Sequence, residues 1–198
     1  MSFVRLYFDD KSLTDLKKTI TPSWTDESLS SHLDLIRVPP NARRVLEVGS
    51  GIGRILKRVS SPEVECVGFD ASLSMCREAA HYLSGSNAAV FPCTGDGALG
   101  VEAEAGTFDF AFAFTVFQHI PDTDAVVRYL QSMVEALRPG GIVVAQFLNE
   151  HMSRKGEPLW TYHDLDLIRD SLKVLGTTDQ GDTLTKNWTV LRYRKGPE

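Results

Sequence analysis

From Arg43 onward the chain alternates between two hydrophobic patterns. Short apolar runs recur at Val45 to Val48, Val64 to Phe69, Ala88 to Pro92, Phe108 to Phe114 and Ile142 to Leu148. Near-continuous runs bounded by turn residues are expected of strands buried on both faces, as in a parallel sheet. Between them, apolar residues return at helical spacing. Ile55, Leu56 and Val59 follow the first run. Cys76, Ala79, Ala80 and Leu83 share one face behind Ser72, a suitable N-cap. Val126, Leu130, Met133, Val134 and Leu137 share another behind Asp122, and Pro139-Gly140-Gly141 predicts where that helix stops. Strand and helix in alternation predict an α/β sandwich with right-handed crossovers.

The two ends depart from this alternation. Leu13, Leu16 and Ile20, and then Leu29, Leu33 and Ile36, predict two short amphipathic helices before Asn41, broken at Thr21-Pro22-Ser23 and closed by Val38-Pro39-Pro40. They have no strand partners and must dock on the body. We read residues 1–40 as a helical lid and 41–198 as the main body of one domain. At the other end a helix around Leu165, Ile168 and Leu172 is followed by Lys173 to Thr178 and Asn187 to Arg194, joined through Asp179-Gln180-Gly181-Asp182. That is a hairpin pattern, so the last strand is expected to run antiparallel.

Composition narrows the class. The 198 residues suit one domain and allow a core without disulfides or a metal. No apolar run approaches the roughly 20 residues of a bilayer span. Arg5, Asp9 and Asp10 stand where a signal peptide needs apolar residues. Net charge is −5, and Lys and Arg cluster only at Arg43-Arg44 and Arg192 to Lys195, so neither nucleic acid nor membrane is an expected partner. Cys66, Cys76 and Cys93 lack C-x-x-C spacing, which suits thiols in a reducing cytoplasm. No His, Asp or Glu spacing suggests a metal site.

The chemistry concentrates at Val45-Leu46-Glu47-Val48-Gly49-Ser50-Gly51-Ile52-Gly53, a strand running through a glycine-rich turn toward a helix. Such a turn lies outside the carboxyl end of its strand, where open α/β sheets bind ligands. The dinucleotide fingerprint G-x-G-x-x-G is not met, because Arg54 stands where its last glycine belongs. Glu47, two residues before the first glycine, suits a ligand with a cationic amine and no phosphate.

With these residues the sequence resembles the class I S-adenosylmethionine-dependent methyltransferases, by motif over Arg43 to Leu148 and by element order elsewhere. Glu47-x-Gly49-x-Gly51-x-Gly53 is similar to that family's first motif. Asp70 with Ser72 and Met75, Gly95-Asp96, Phe108-Asp109, Val116 to Ile120, and Leu137 to Gly141 follow in the family's order. The resemblance implies a Rossmann-like three-layer sandwich with a seven-stranded, mostly parallel sheet, order 3-2-1-4-5-7-6, strand 7 antiparallel. It also implies S-adenosyl-L-methionine as cofactor, with S-adenosyl-L-homocysteine as product. Asp70 is then expected at the ribose diol, Ala71 and Met75 at the adenine, and Asp96 and Gly97 at its polar edge. Gly49, Ser50 and Gly51 are expected under the methionyl part, and the Thr115 carbonyl and Glu47 at its amine.

A methyl acceptor that must lose a proton profits from a base with pKa near 7. His119, after the fourth strand, and His151, after the fifth, are the candidates on the cofactor edge. Trp24, Phe117, Trp160 and Tyr162 are candidate walls for a small-molecule acceptor. A monomer or homodimer is expected. Two rival readings use the same residues: another transferase or a nicotinamide oxidoreductase on this scaffold, and a cofactor-binding partner protein without turnover. Arg54 and the terminal hairpin count against the oxidoreductase.

Overall fold

The computed structural model describes residues 26–153 and 160–197. The first of the two upstream helices expected from the sequence lies outside them, as does Trp24. The second is α1 (Asp26–Ile36). The body then alternates: β1 (Arg44–Val48), α2 (Arg54–Val59), β2 (Glu65–Asp70), α3 (Leu73–Tyr82), β3 (Ala88–Pro92), β4 (Phe108–Ala113), α4 (Thr123–Ala136) and β5 (Leu137–Leu148). The tail holds α5 (Leu165–Val174), β6 (Thr177–Asp179), β7 (Thr183–Leu184) and β8 (Trp188–Lys195). The sheet order is β3-β2-β1-β4-β5-β8-β6, with β7 also paired to β8. β1 to β5 pair in parallel, and β8 runs antiparallel to β5. This is the expected order. The short β7 is an addition, so the strand expected as seventh is β8.

Period-two alternation sends successive side chains of the central strands to opposite faces. From Phe110 on, Phe110, Phe112 and then Phe114 join one apolar cluster with α1 and α2, while Ala111 and Ala113 join the other with α4 and α5; Phe108, before the register shift, also belongs to the latter. Every residue of β4 is buried, which explains a run that is apolar but for Asp109. The three layers follow directly. Asp109, 8% exposed, faces the amino edge and accepts from Arg43 N–H, Arg44 N–H and the Arg138 guanidinium, stapling that end shut.

Three boundaries differ from the sequence pattern. α4 ends at Ala136, not at Pro139-Gly140-Gly141, because Leu137 already pairs with Phe108; the Pro-Gly-Gly stretch is taken up in a register shift before Ile142 pairs with Phe110. Lys173 and Val174 belong to α5, since the helix runs on until Gly176 turns the chain at φ +73°, and the expected strand is confined to Thr177–Asp179. Ala80 is exposed, while Met75 and Ala79 form the buried face of α3.

α1 rests on the sheet and reaches its carboxyl edge. Ile36 is fully buried, and Arg192 of β8 donates to the Ile36 and Leu35 carbonyls, capping the end of the helix. One turn earlier, the His32 ring lies 5.0 Å from the Phe114 ring just beyond β4.

Candidate active site

A cavity of about 490 Å³ opens at the carboxyl edge. That is within the roughly 300–1,000 Å³ usual for small-molecule sites. The turn after β1, the end of β2, the segment after β3, the turn after β4 and the start of α4 all contribute walls.

The glycines of the first turn do different work. Gly49 and Gly51 both have positive φ, +69° and +55°, a region unfavourable to side chains. A Cβ on Gly49 would stand 2.3 Å from Val116, so that glycine lets the turn pack against the chain after β4. A Cβ on Gly51 would meet nothing within 4 Å, so it would enter the open cavity. Asp70, at the end of β2, ties the turn down. One carboxylate oxygen accepts from Gly51 N–H at 2.8 Å and the other from Ser72 N–H at 2.9 Å. Ser72 caps α3 by accepting from Met75 N–H.

Glu47 is the anomaly of β1. It is only 3% exposed, and its Oε2 has no hydrogen-bond partner. Burial pushes its carboxyl well above the usual glutamate range, nearby Asp70 adds to this, and Arg54 opposes it. Burial also lowers the Arg54 guanidinium. A buried carboxyl oxygen without a partner is costly, about 1–3 kcal/mol. A cationic ligand group would satisfy it.

Across the cavity Thr115 follows β4 at φ +58°, an outlier for a β-branched residue that costs on the order of 1–3 kcal/mol. Its N–H donates to Gln146 Oε1 at 2.8 Å, and its hydroxyl donates to the Phe114 carbonyl. Beyond it, the short turn Phe117–His119 sends neighbouring side chains apart. His119 lines the cavity, with its Nε2 3.2 Å from Gln118 Nε2. An amide nitrogen only donates, so in this arrangement His119 Nε2 accepts and the ring proton sits on Nδ1.

Glu47, Gly49, Ser50, Gly51, Asp70, Ala71, Met75, Asp96, Thr115 and His119 therefore share one cavity. Other expected residues stand elsewhere. Gly97 packs its backbone on α4, where a Cβ would meet Arg128 Cβ at 2.4 Å; Gly95 lines the cavity instead. Phe117 is a core residue, stacked on Phe147 with ring centres 5.3 Å apart. His151 is exposed on the Glu150–Met152 turn, away from the cavity. Trp160 and Tyr162 are half-buried and do not line it, although Thr161 N–H between them donates to the Gln118 carbonyl. His163 clips this segment in place: its ring nitrogens contact Thr123 Oγ1 and the Phe117 carbonyl, both at 3.0 Å.

Several walls were not anticipated from the sequence. Arg54 contributes from α2. Arg128 and Tyr129 reach in from α4, where Ala125, Arg128 and Tyr129 share a face at i, i+3, i+4. Arg128 donates to the Asp96 carbonyl, and the Tyr129 hydroxyl lies 3.5 Å from Cys93 Sγ.

Comparison with known proteins gives the same picture. Residues 45–141 match the family model described as a methyltransferase domain. Phosphoethanolamine N-methyltransferase 2 of Caenorhabditis elegans is 27% identical over 144 residues, 72% of this chain and 32% of that protein. The chain thus spans about a third of that curated relative's length. Among solved structures, Haemonchus contortus phosphoethanolamine N-methyltransferase 2 in complex with S-adenosyl-L-methionine superposes with TM-score 0.75 at 16% identity, covering 100% of this chain and 61% of that one. The PH0226 protein of Pyrococcus horikoshii OT3 gives 0.71 at 15% identity, covering 93% and 100%. Residues 45–141, about half of the chain, thus match a methyltransferase domain, on the fold and motif order expected of the class I S-adenosylmethionine-dependent methyltransferases.

Proposed function

We propose that the chain transfers a methyl group from S-adenosyl-L-methionine to a small-molecule acceptor held over the carboxyl edge of the sheet. The observation that carries this reading is the buried, unpartnered Oε2 of Glu47, a site for a cationic amine in a cavity that also presents Asp70 and the open side of Gly51. Bound S-adenosyl-L-methionine supplies an activated sulfonium methyl.

The chain's own residues bind and orient. The Asp70 carboxylate, at the cavity wall, accepts from the ribose diol. Ala71 and Met75 flank the adenine, where a soft thioether suits an aromatic face, and Gly95 and Asp96 meet its polar edge. Gly51 lets the methionyl part lie against the backbone, and Glu47 and the Thr115 carbonyl share its amine. Holding acceptor and methyl roughly 3–3.5 Å apart accounts for much of the rate in such a displacement.

His119 is the candidate base. Accepting a proton at Nε2 requires release from Gln118, whereas a swapped carboxamide would place Oε1 on Nε2 and leave Nδ1 as the basic atom. Residues 1–40 act as a lid in this proposal: α1 already brings His32 against the cavity-lining Phe114.

The C. elegans relative is named for phosphoethanolamine, so that amine is the first acceptor to try. The test is transfer of radiolabelled methyl from S-adenosyl-L-methionine to a panel of small amines, alcohols and thiols. Transfer above the protein-free rate is expected with at least one class. Tight binding of S-adenosyl-L-homocysteine with no transfer to any acceptor would favour the partner-protein reading.

A further inference from the structure

We infer that Gln146, a residue outside the cavity, is a positioning residue for the cofactor's amino-acid end. It acts through Thr115, and the inference rests on the proposed role of the Thr115 carbonyl as acceptor for the cofactor's amine.

The geometry carries the argument. β4 and β5 keep parallel register as far as Ala113 opposite Ala145. Beyond that point the chain leaves the sheet. Thr115 takes φ +58°, and its N–H is turned away from any backbone partner in the ladder. Thr115 is half-buried, and a backbone donor withdrawn from water needs an acceptor. Gln146, the residue after Ala145 on β5, provides one: its Oε1 accepts from Thr115 N–H at 2.8 Å. Because the donor is an N–H, the carboxamide orientation is determined, with the oxygen toward Thr115.

Gln146 is 1% exposed and does not line the cavity. A buried glutamine on an otherwise apolar strand, between Ala145 and Phe147, has no packing advantage over Leu or Met. Its effect is on the conformation of its neighbour. Thr115 is a β-branched residue in the left-handed region, and it lines the same cavity as Glu47. The side-chain bond holds this peptide where a strand would otherwise straighten, and so sets where the Thr115 carbonyl stands relative to the Glu47 carboxyl.

The role predicts a selective defect. S-adenosyl-L-homocysteine carries the amino-acid end, whereas 5′-methylthioadenosine has the same nucleoside and thioether but neither the amine nor the carboxylate. Binding of both is measured calorimetrically to wild type, to Gln146→Met, which keeps the length but loses the acceptor, and to Gln146→Glu, which keeps an acceptor oxygen. Wild type is expected to prefer S-adenosyl-L-homocysteine. Gln146→Met is expected to lose about tenfold for that ligand, the value of one well-placed hydrogen bond, and nothing for 5′-methylthioadenosine. Gln146→Glu is expected to recover most of the loss.

Equal weakening of both ligands in Gln146→Met, or of neither, overturns the inference while leaving the proposed site intact. A wild type that does not distinguish the two ligands overturns the amine reading itself, and the inference with it. Should Gln146→Met fail to fold, amide hydrogen exchange of the wild-type protein decides. Thr115 N–H is expected to be protected at least about tenfold over an unstructured peptide, and exchange at the free rate rejects the bond.

Discussion

Glu47 and Asp70 show two ways in which a carboxylate can be committed to a ligand. Asp70 is tied to the chain itself, at Gly51 and Ser72, and stands at the wall of the cavity. Replacing it with Ala should weaken S-adenosyl-L-homocysteine at least about tenfold, since charge-assisted bonds are lost. It should also lower the melting temperature modestly, because the turn loses both ties. An unchanged dissociation constant in calorimetric titration contradicts the assignment. Glu47 behaves differently, being strained in the free protein. A carboxyl whose folded pKa is raised holds its proton more tightly in the native state than in the unfolded one. Its contribution is then most favourable below the ordinary glutamate range and is lost as pH rises toward the folded pKa. Glu47→Gln removes this penalty. The variant should melt above wild type at about pH 8, with the gap closing toward about pH 5, yet bind the cofactor product more weakly. Stability and binding moving in opposite directions would mark a residue kept for function. Both falling together would mark one kept for the fold.

At the scale of elements, α1 is held at one end and engaged at the other. Arg192 caps its last turn, Ile36 is buried, and His32 meets Phe114 at the rim of the cavity. The helix is thus both a packing element and the nearest part of the proposed lid. Removing residues 1–24 leaves α1 intact and separates them. If the removed residues only complete the lid, cofactor affinity should fall modestly, while acceptor turnover falls by orders of magnitude as water enters. If they are structural, the melting temperature and both activities should fall together. Full turnover in a stable truncated protein would count against either role.

For the whole molecule, the site joins elements from both layers of helices to four strand ends, so occupancy should be felt globally. A ligand that binds only the native state at 100 times its dissociation constant adds about 2.7 kcal/mol. For a domain of this size that corresponds to a rise in melting temperature of about 5–11 °C, at about 2–4 °C per kcal/mol. A thermal melt against increasing S-adenosyl-L-homocysteine checks it. A flat curve through millimolar ligand would mean that the cavity does not take this cofactor. Among the described residues no helix is long and apolar enough to cross a membrane.

The sequence by itself determined what local period and backbone chemistry control. Unbroken apolar runs marked the buried strands, helical spacing marked the covering faces, and Gly49, Gly51 and Asp70 were recognisable because a turn at a strand end needs those residue types. Most of the expected cofactor residues consequently share one cavity. Tertiary structure decided what depends on side-chain direction and on meetings between distant segments. Phe117 and His119 are two residues apart, but a short turn sends one to the core and the other to the cavity. Gly95, not Gly97, lines the cavity, and Gly97 packs where a Cβ would meet α4. Arg128, Tyr129 and Gln146 carry no motif. They reach the site because α4 crosses over the sheet and β5 lies beside β4, and neither event leaves a periodic trace in the chain. A spacing reports which residues share a face; only packing reports what that face meets.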